Sequence, residues 1–381
     1  MIKKTKQNLY DSRVIEQLQP GSVIGILGGG QLGRMLAVAA SRLGLRCYVY
    51  STSTDNPACE VAARTIEGRY EDLQRLSSFA ADVNVITYEF ENIPVSTAQH
   101  LDALKPVYPP PRALEITQDR LKEKQFIENL GITVAPYKAV SDHTELSAAL
   151  KTIGTPAILK IRSDGYDGKG QVRVTENTDL EQALKQLGGK PAILEGFVPF
   201  KRELSVILAR GIDPAALGGY ADVVYDIPVN THANGILERT VVPAPITQET
   251  KQKAADIARK IVTALDYIGV IAVELFEVQS DGENTLIVNE IAPRVHNSGH
   301  WTMNACLVDQ FENHIRAISG WPLGATTRYA DVEMTNLIGD DIAKWNTLLR
   351  APNCALHLYG KSDVRAGRKM GHFNKLKNLK S

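Results

Sequence analysis

Short apolar runs separated by polar, glycine-rich turns organise the start of the chain. Residues 23–28 read VIGILG, residues 46–50 RCYVY and residues 83–87 VNVIT, each with the length and composition of a buried strand. Between the first two, GGGQLGRM at 28–35 opens a segment whose apolar positions recur at helical spacing to about Leu43. Strand, helix, strand at that spacing predicts a doubly wound α/β unit. A Pro-rich turn, YPPPR at 108–112, closes it.

The pattern then changes. Amphipathic segments cover about 114–130 and 143–153, and PAILKI at 156–161 is a short buried strand that presents Lys160. Residues 191–209 read as strand, turn, strand. Further β segments cover 214–225 and 236–242, with His232 in the loop between them. A long amphipathic helix at 247–266 leads into two strands joined by the turn QSDGE, within Ile268–Thr302. A helix covers about 306–319. Antiparallel strands mixed with helices make the whole chain α+β, behind an α/β beginning.

Folding the hairpin about Gly282 lays Glu290 opposite Glu274. Residues facing across an antiparallel pair have Cβ atoms about 5 Å apart. Two carboxylates that close repel unless a proton or cation lies between them. Few, hard oxygen ligands beside a basic loop suit magnesium carrying phosphates. The alternative is a pair of glutamates on a solvated strand face. Arg294, His296, Asn297, Ser298 and His300 follow at once, more polar groups than a merely structural loop needs.

Composition narrows the classes. The chain has 381 residues, enough for two or three domains, with 44% hydrophobic and 23% charged residues. Lys+Arg and Asp+Glu both total 43, which argues against a general nucleic-acid or membrane-surface binder. No apolar run reaches the roughly 18 residues that span a bilayer. The N-terminus MIKKTKQNLYDSRVIEQLQPG is charged without an apolar core, so no secretory signal is expected. Cys47, Cys59, Cys306 and Cys354 show no paired spacing, which indicates neither a zinc site nor a disulfide framework. A cytoplasmic location is the expectation.

Gly28, Gly30 and Gly33 match the dinucleotide turn G-x-G-x-x-G. That reading wants an acid ending the second strand. Here it ends Tyr50-Ser51-Thr52, with Asp55 beyond, which argues against a nicotinamide or flavin site. The turn still lets a helix N-terminus approach an anion or polar ligand. TYEFENIP at 87–94 places Glu89 and Glu91 at a carboxyl strand end, where open α/β sheets bind ligands. One of the two is expected to face ligand; the residues leave open which. RSDGYDGKGQ at 162–171 carries Gly165, Gly168, Gly170 and Lys169. It reads as an anion-cradling, lid-like loop beside Lys160 or as an ordinary glycine hairpin. Glu195–Val198 offers a strand edge and apolar faces to a purine, and Glu203 points back from the next strand. Lys361, Arg365, Arg368, Lys369 and His372 form a basic run, either a solvated face or a clamp on an anionic substrate.

Six motifs occur in order: GGGQLGRM, TYEFENIP, GYDGKGQ, EGFVPF followed by KRELS, NEIAPRVHNSGHWT, and VRAGRKMGH. The set resembles the 5-(carboxyamino)imidazole ribonucleotide synthases of the ATP-grasp superfamily, from about residue 22 to the C-terminus. A polar extension at 1–21 lies outside the family pattern; the resemblance implies a Rossmann-like α/β domain at 22–115 and an ATP-grasp domain at 116–320. Within the last, a glycine-rich lid lies at about 130–200, and a substrate-contacting C-terminal domain follows at 321–381. It implies carboxylation of 5-aminoimidazole ribonucleotide with bicarbonate, driven by ATP through carboxyphosphate, in purine biosynthesis. It implies a homodimer, two magnesium ions and a product passed to the mutase of the same pathway.

Residue by residue, the resemblance makes Arg120 and Lys160 phosphate cations. Gly165, Tyr166, Asp167, Gly168, Lys169, Gly170 and Gln171 become the lid, and Glu195, Gly196, Phe197 and Val198 the adenine hinge. Glu203 takes a ribose hydroxyl, His232 and Asn289 are further ATP contacts, and Glu274 and Glu290 are magnesium ligands. Gln31, Leu32, one of Glu89 and Glu91, Tyr166, Lys169, His296, Asn297, Lys361 and Arg368 contact substrate. By similarity to related carboxylases Arg294 holds bicarbonate or carboxyphosphate, with Lys160 and Lys169 as the other groups at the reaction. Ala366 departs from the usual Pro of the last motif. Two other readings remain open: an ATP-grasp enzyme with another amine acceptor, and a non-catalytic nucleotide-binding protein.

Overall fold

The computed structural model describes residues 17–165, 168–280 and 283–378. Its first layer is a parallel four-stranded sheet, in the order Arg64–Glu67, Arg46–Ser51, Val23–Leu27, Val85–Tyr88. All five residues of Val23–Leu27 are buried, as a central strand covered on both faces requires. Helix Gln31–Arg42 packs Leu32, Met35, Leu36, Ala39 and Ala40 inward, one stripe at helical spacing. The edge strand Arg64–Glu67 has no apolar run, so nothing in its pattern announced it.

The stretch expected to be helical at 114–130 is two helices, Pro111–Thr117 and Arg120–Asn129. Asp119 breaks it: its carboxylate accepts from the Leu121 and Lys122 N–H groups and caps the second helix. A small antiparallel sheet follows, in the order Tyr137–Val140, Ala192–Gly196, Ala157–Ile161, Gln171–Val174.

Among the described residues the third sheet has nine antiparallel strands. It runs from Glu283–Ala292 through Gly269–Ser280, Arg202–Ile212, Val229–Ala233 and Ile236–Val242 to Asp331–Ile338, Lys369–Lys377 and Cys354–Leu358. Tyr220–Val224 pairs off Arg202–Ile212. The C-terminal strands therefore extend the sheet that carries the acidic hairpin. His232 lies in a strand, not in a loop: Val229–Ala233 pairs with Ile236–Val242, where Glu238 is the extra residue between the Thr231–Arg239 and His232–Leu237 pairs. The helix expected at 306–319 begins at Gln310, where Asp309 caps the Phe311 and Glu312 N–H groups. The β segment expected at 214–225 is confined to Tyr220–Val224. Asp281 and Gly282 of the hairpin turn lie outside the described residues, as does most of the polar extension. Among the described residues no helix is long and apolar enough to cross a membrane.

Candidate active site

The three sheets converge on a cavity of about 860 Å³. The hairpin forms its floor. Glu274 pairs with Glu290, but Leu275 pairs with Val288, so Asn289 is an extra residue in its strand. In a regular strand, neighbours point to opposite faces; this bulge lets consecutive Asn289 and Glu290 both line the cavity beside Glu274. Burial and then the Glu290 charge push the Glu274 carboxyl up to about 7. Burial raises Glu290 too, but Arg120 outweighs it and holds that carboxyl down at about 2. Arg120 Nη1 lies 2.9 Å from Glu290 Oε2.

A buried charge network backs this floor. Glu195 Oε2 sits 2.9 Å from Lys160 Nζ and 3.6 Å from Lys124 Nζ. Burial alone would raise the Glu195 carboxyl; the two lysines bring it to about 2. Lys124 also donates to the Asn289 carbonyl at 2.7 Å, which anchors the bulge. Sequence reasoning missed Lys124, although it follows Arg120 by four positions on one helix face. Glu123 was missed as well. It lines the cavity, accepts from the Ile291 N–H at 2.7 Å, and is raised to about 8, chiefly by burial.

At the strand edge Gly196, Phe197 and Val198 line the cavity, with the Gly196 and Phe197 N–H groups donating to the Pro136 and Pro156 carbonyls. Phe200 stacks on Phe276 at 4.7 Å, an apolar wall suited to a flat ring. Glu203 Oε2 lies 2.5 Å from His232 Nδ1, and that contact keeps the imidazole pKa raised against its burial.

Gly165, Gly168, Lys169 and Gln171 of the glycine loop face the cavity. Tyr166 and Asp167 lie outside the described residues. Gly168 has φ 74°, and a Cβ there would come within 2.9 Å of Gly235 Cα, so the loop packs closely on the turn after His232. Gly170 turns away from the cavity: its carbonyl accepts from Ile161, and a Cβ would meet Ile161 Cδ1 at 2.4 Å.

The structure separates the two glutamates of TYEFENIP. Glu89 is buried in the glycine turn, where it accepts from the Gly30 N–H at 2.7 Å and the Gly33 N–H at 3.2 Å. The anion at that helix N-terminus is thus the protein's own carboxylate. Glu91 lines the cavity and holds Arg294 through two hydrogen bonds, one of them 2.6 Å. Gln31 and Leu32 line the same end. His296 Nε2 lies 3.4 Å from Glu274 Oε1, its pKa driven down to about 3 by burial and then by Arg294. Asn297 lines the cavity too, but its side-chain amide is paired in both directions with that of Asn336.

Lys361, Arg365, Arg368 and Lys369 line the cavity as well and form its basic rim. Lys361 Nζ donates to the Lys369 carbonyl at 2.7 Å, and Arg368 Nη1 donates to Asp363 at 2.8 and 3.1 Å.

Whether magnesium fits can be judged from the donors. Among the described residues no group of three or more His, Cys, Asp or Glu is arranged to hold a metal. Magnesium does not need one: it keeps several waters and takes one or two carboxylates plus phosphate oxygens. Glu274 and Glu290, cross-strand partners lining one cavity, with Glu274 raised by burial and then by the Glu290 charge, match this donor set.

The chain is similar along most of its length to proteins of known identity. Residues 22–118 match the ribonucleotide synthetase preATP-grasp domain, 125–311 the ATP-grasp domain, and 333–380 the phosphoribosylaminoimidazole carboxylase C-terminal domain. The N5-carboxyaminoimidazole ribonucleotide synthase of Brucella melitensis is 51% identical over 94% of this chain and 98% of its own length.

The chain belongs to the N5-carboxyaminoimidazole ribonucleotide synthase family.

Solved members superpose closely. An N5-carboxyaminoimidazole ribonucleotide synthetase in complex with ADP gives a TM-score of 0.89 at 40% identity, covering 95% of this chain and 94% of that one. The Aspergillus clavatus synthase in complex with ADP and 5-aminoimidazole ribonucleotide gives 0.87 at 29% identity, over 94% and 95%. As a family member this protein has the ATP-grasp fold and is an ATP-dependent ligase of purine biosynthesis.

Proposed function

We propose that the protein carboxylates the amine of 5-aminoimidazole ribonucleotide with bicarbonate, at the expense of ATP, through carboxyphosphate. One observation carries this reading: a single cavity is lined both by a carboxylate pair on a hairpin and by a cluster of basic side chains. That combination suits a triphosphate at the acids and a second, phosphate-bearing substrate at the rim.

Bicarbonate is a poor electrophile because its carbon carries a donating oxyanion. Phosphorylation converts it into an activated carbonyl source, and phosphoryl transfer is mostly a matter of position and charge. Glu274 and Glu290 would hold magnesium, which when bound neutralises phosphate oxygens. Two ions are our reading. Lys160, Arg120 and Lys169 take up the remaining phosphate charge. Gly196–Val198 with Phe200 receive the base, Glu203 and His232 the ribose, and Asn289 the phosphate end. Arg294 and His296 flank the bicarbonate, with Glu91 setting the guanidinium. Lys361 and Arg368 take the ribonucleotide phosphate, near Gln31, Leu32 and Asn297. The glycine loop excludes water from the unstable mixed anhydride. We assign the domains as 22–115, 116–320 and 321–381, and infer a cytoplasmic homodimer that passes its product to the mutase of the pathway.

The test is ADP release with and without 5-aminoimidazole ribonucleotide, at fixed ATP, magnesium and bicarbonate. Stimulation by the ribonucleotide is expected. Turnover indifferent to it would overturn the reading, and a panel of other amines would then show which acceptor is used.

A further inference from the structure

A row of polar side chains crosses the large sheet beneath the cavity. Thr240 pairs with Asn230 on adjacent strands, and Ser205 pairs with Glu274. Thr240, Asn230 and Ser205 are all buried, and so is Ser298 in the loop above them. A buried polar row is costly unless every member finds a partner, and a satisfied one fixes the direction of each proton.

Here that direction can be followed. The Thr240 hydroxyl donates to Asn230 Oδ1 at 3.0 Å, and Asn230 Nδ2 donates to Ser205 Oγ at 3.1 Å. Ser205 Oγ donates to Ser298 Oγ at 2.7 Å. Ser298 has one hydroxyl proton, and its remaining neighbour is His296 Nδ1, 2.8 Å away. The backbone supplies an independent constraint. The Ser298 N–H points at the same Nδ1 at 3.3 Å, and a backbone N–H can only donate. His296 Nδ1 therefore carries no proton, so the ring is neutral and its proton sits on Nε2. The main chain of His296 is also clamped: its N–H donates to Gln310 Oε1 at 2.9 Å, and Gln310 Nε2 donates to its carbonyl at 2.7 Å.

We propose that Ser298, Ser205 and Asn230 are positioning residues that lock His296 as a neutral hydrogen-bond donor, its Nε2–H directed beside Glu274 into the cavity. The inference rests on the reading of the cavity given above. It assigns His296 a role in which the ring steadies an oxyanion. The ring takes no proton from the amine, because its one free position already bears a proton. The base must then be sought elsewhere.

The first measurement is ¹⁵N NMR of the intact protein with ring-labelled histidine, the His296 signals being assigned by their loss in His296→Asn. A bare Nδ1 and a protonated Nε2 are expected; a proton on Nδ1 overturns the proposal. The second is kinetic. Ser298→Ala should lower kcat about tenfold, the equivalent of one hydrogen bond, with the KM for ATP within about twofold. A purely structural relay would lower Tm and leave the kcat of the folded fraction unchanged, and that result overturns the proposal. In a third arm His296→Gln, whose amide reaches the Nε2 position, should retain at least about ten times the activity of His296→Asn, which stops short at Nδ1. Equal activity counts against it. If Ser298→Ala fails to fold, the spectrum of the unaltered protein still decides. A failure of the ribonucleotide to stimulate ADP release sinks the functional reading and leaves the tautomer result standing.

Discussion

Arg294 and Glu91 hold one another through two hydrogen bonds across 203 residues of sequence, from Nε to Oε2 and from Nη2 to Oε1. Glu91 follows a strand of the parallel sheet, and Arg294 follows the acidic hairpin. The pair is thus both a brace between layers and a constraint on chemistry. An Arg294 engaged in this way offers an anion only the donors Glu91 leaves over, and burial without a partner would be costly. Glu91→Gln should lower stability by about 2 kcal/mol, the worth of a charge-assisted hydrogen bond, while Glu91→Asp should lose less. Denaturant unfolding checks this; an unchanged midpoint would show that the brace adds nothing.

Glu89 makes the opposite prediction for function. Its two oxygens accept from Gly30 and Gly33, and it does not line the cavity. Glu89→Gln turns one acceptor into an NH₂ that faces a backbone N–H. The expected cost is about 1–3 kcal/mol of stability, with the KM for 5-aminoimidazole ribonucleotide unchanged in the folded protein. A KM that rises without loss of Tm would return Glu89 to the substrate.

These two residues also show what the chain discloses before it is folded. Strand ends and glycine turns were legible, because apolar runs and φ-permissive residues are local properties. Glu274 and Glu290 do face one another, but through the bulge at Asn289: the register of the hairpin up to Leu275 would pair Glu274 with Asn289, and no local pattern announced the extra residue. Which of Glu89 and Glu91 reaches the cavity depends on a glycine turn 59 residues from Glu89, after the neighbouring strand of the same sheet, and no local pattern carries that. Lys124 was overlooked because a fully buried lysine looks, in sequence, like any solvated one between Arg120 and Asn129. His232 was misplaced into a loop because its short strand is mostly polar and is recognisable only by its pairing with Ile236–Val242.

If Glu274 and Glu290 hold magnesium, Glu290→Gln should reduce ribonucleotide-dependent ADP release by about a hundredfold or more, in line with removing a main electrostatic group. The magnesium concentration for half-maximal rate should rise as well. Because Arg120 leans on the same carboxylate at 2.9 Å, ATP affinity should fall in parallel. Retained turnover with an unaltered magnesium requirement would reject the metal assignment.

The basic rim should act on the second substrate only. Lys361 and Arg368 are held by the Lys369 carbonyl and by Asp363, and both line the cavity. Lys361→Ala with Arg368→Ala should raise the KM for the ribonucleotide about a hundredfold, as two charged hydrogen bonds of about 1.5 kcal/mol each would. The KM for ATP should stay within about twofold. Parallel changes in both constants would move the ribonucleotide phosphate elsewhere.

Glu123 gives the pH prediction. Its carboxyl is raised from an ordinary 4.5 to about 8, first by burial, with the Glu290 charge adding to the rise and Lys124 opposing it. A raised folded-state value means that the folded protein binds a proton the unfolded chain has already released. The associated stability is fully present below pH 4.5 and is lost as pH climbs through about 8. Glu123→Gln has no proton to lose, and its amide oxygen can still accept from the Ile291 N–H. Holding a proton against a tenfold fall in its concentration costs about 1.4 kcal/mol, so wild type should weaken relative to the variant by a few kcal/mol between about pH 5 and pH 8. Urea unfolding of both proteins at about pH 5, 6.5 and 8 spans that window. Parallel curves would mean that Glu123 is already ionised in the folded protein, with Lys124 outweighing its burial.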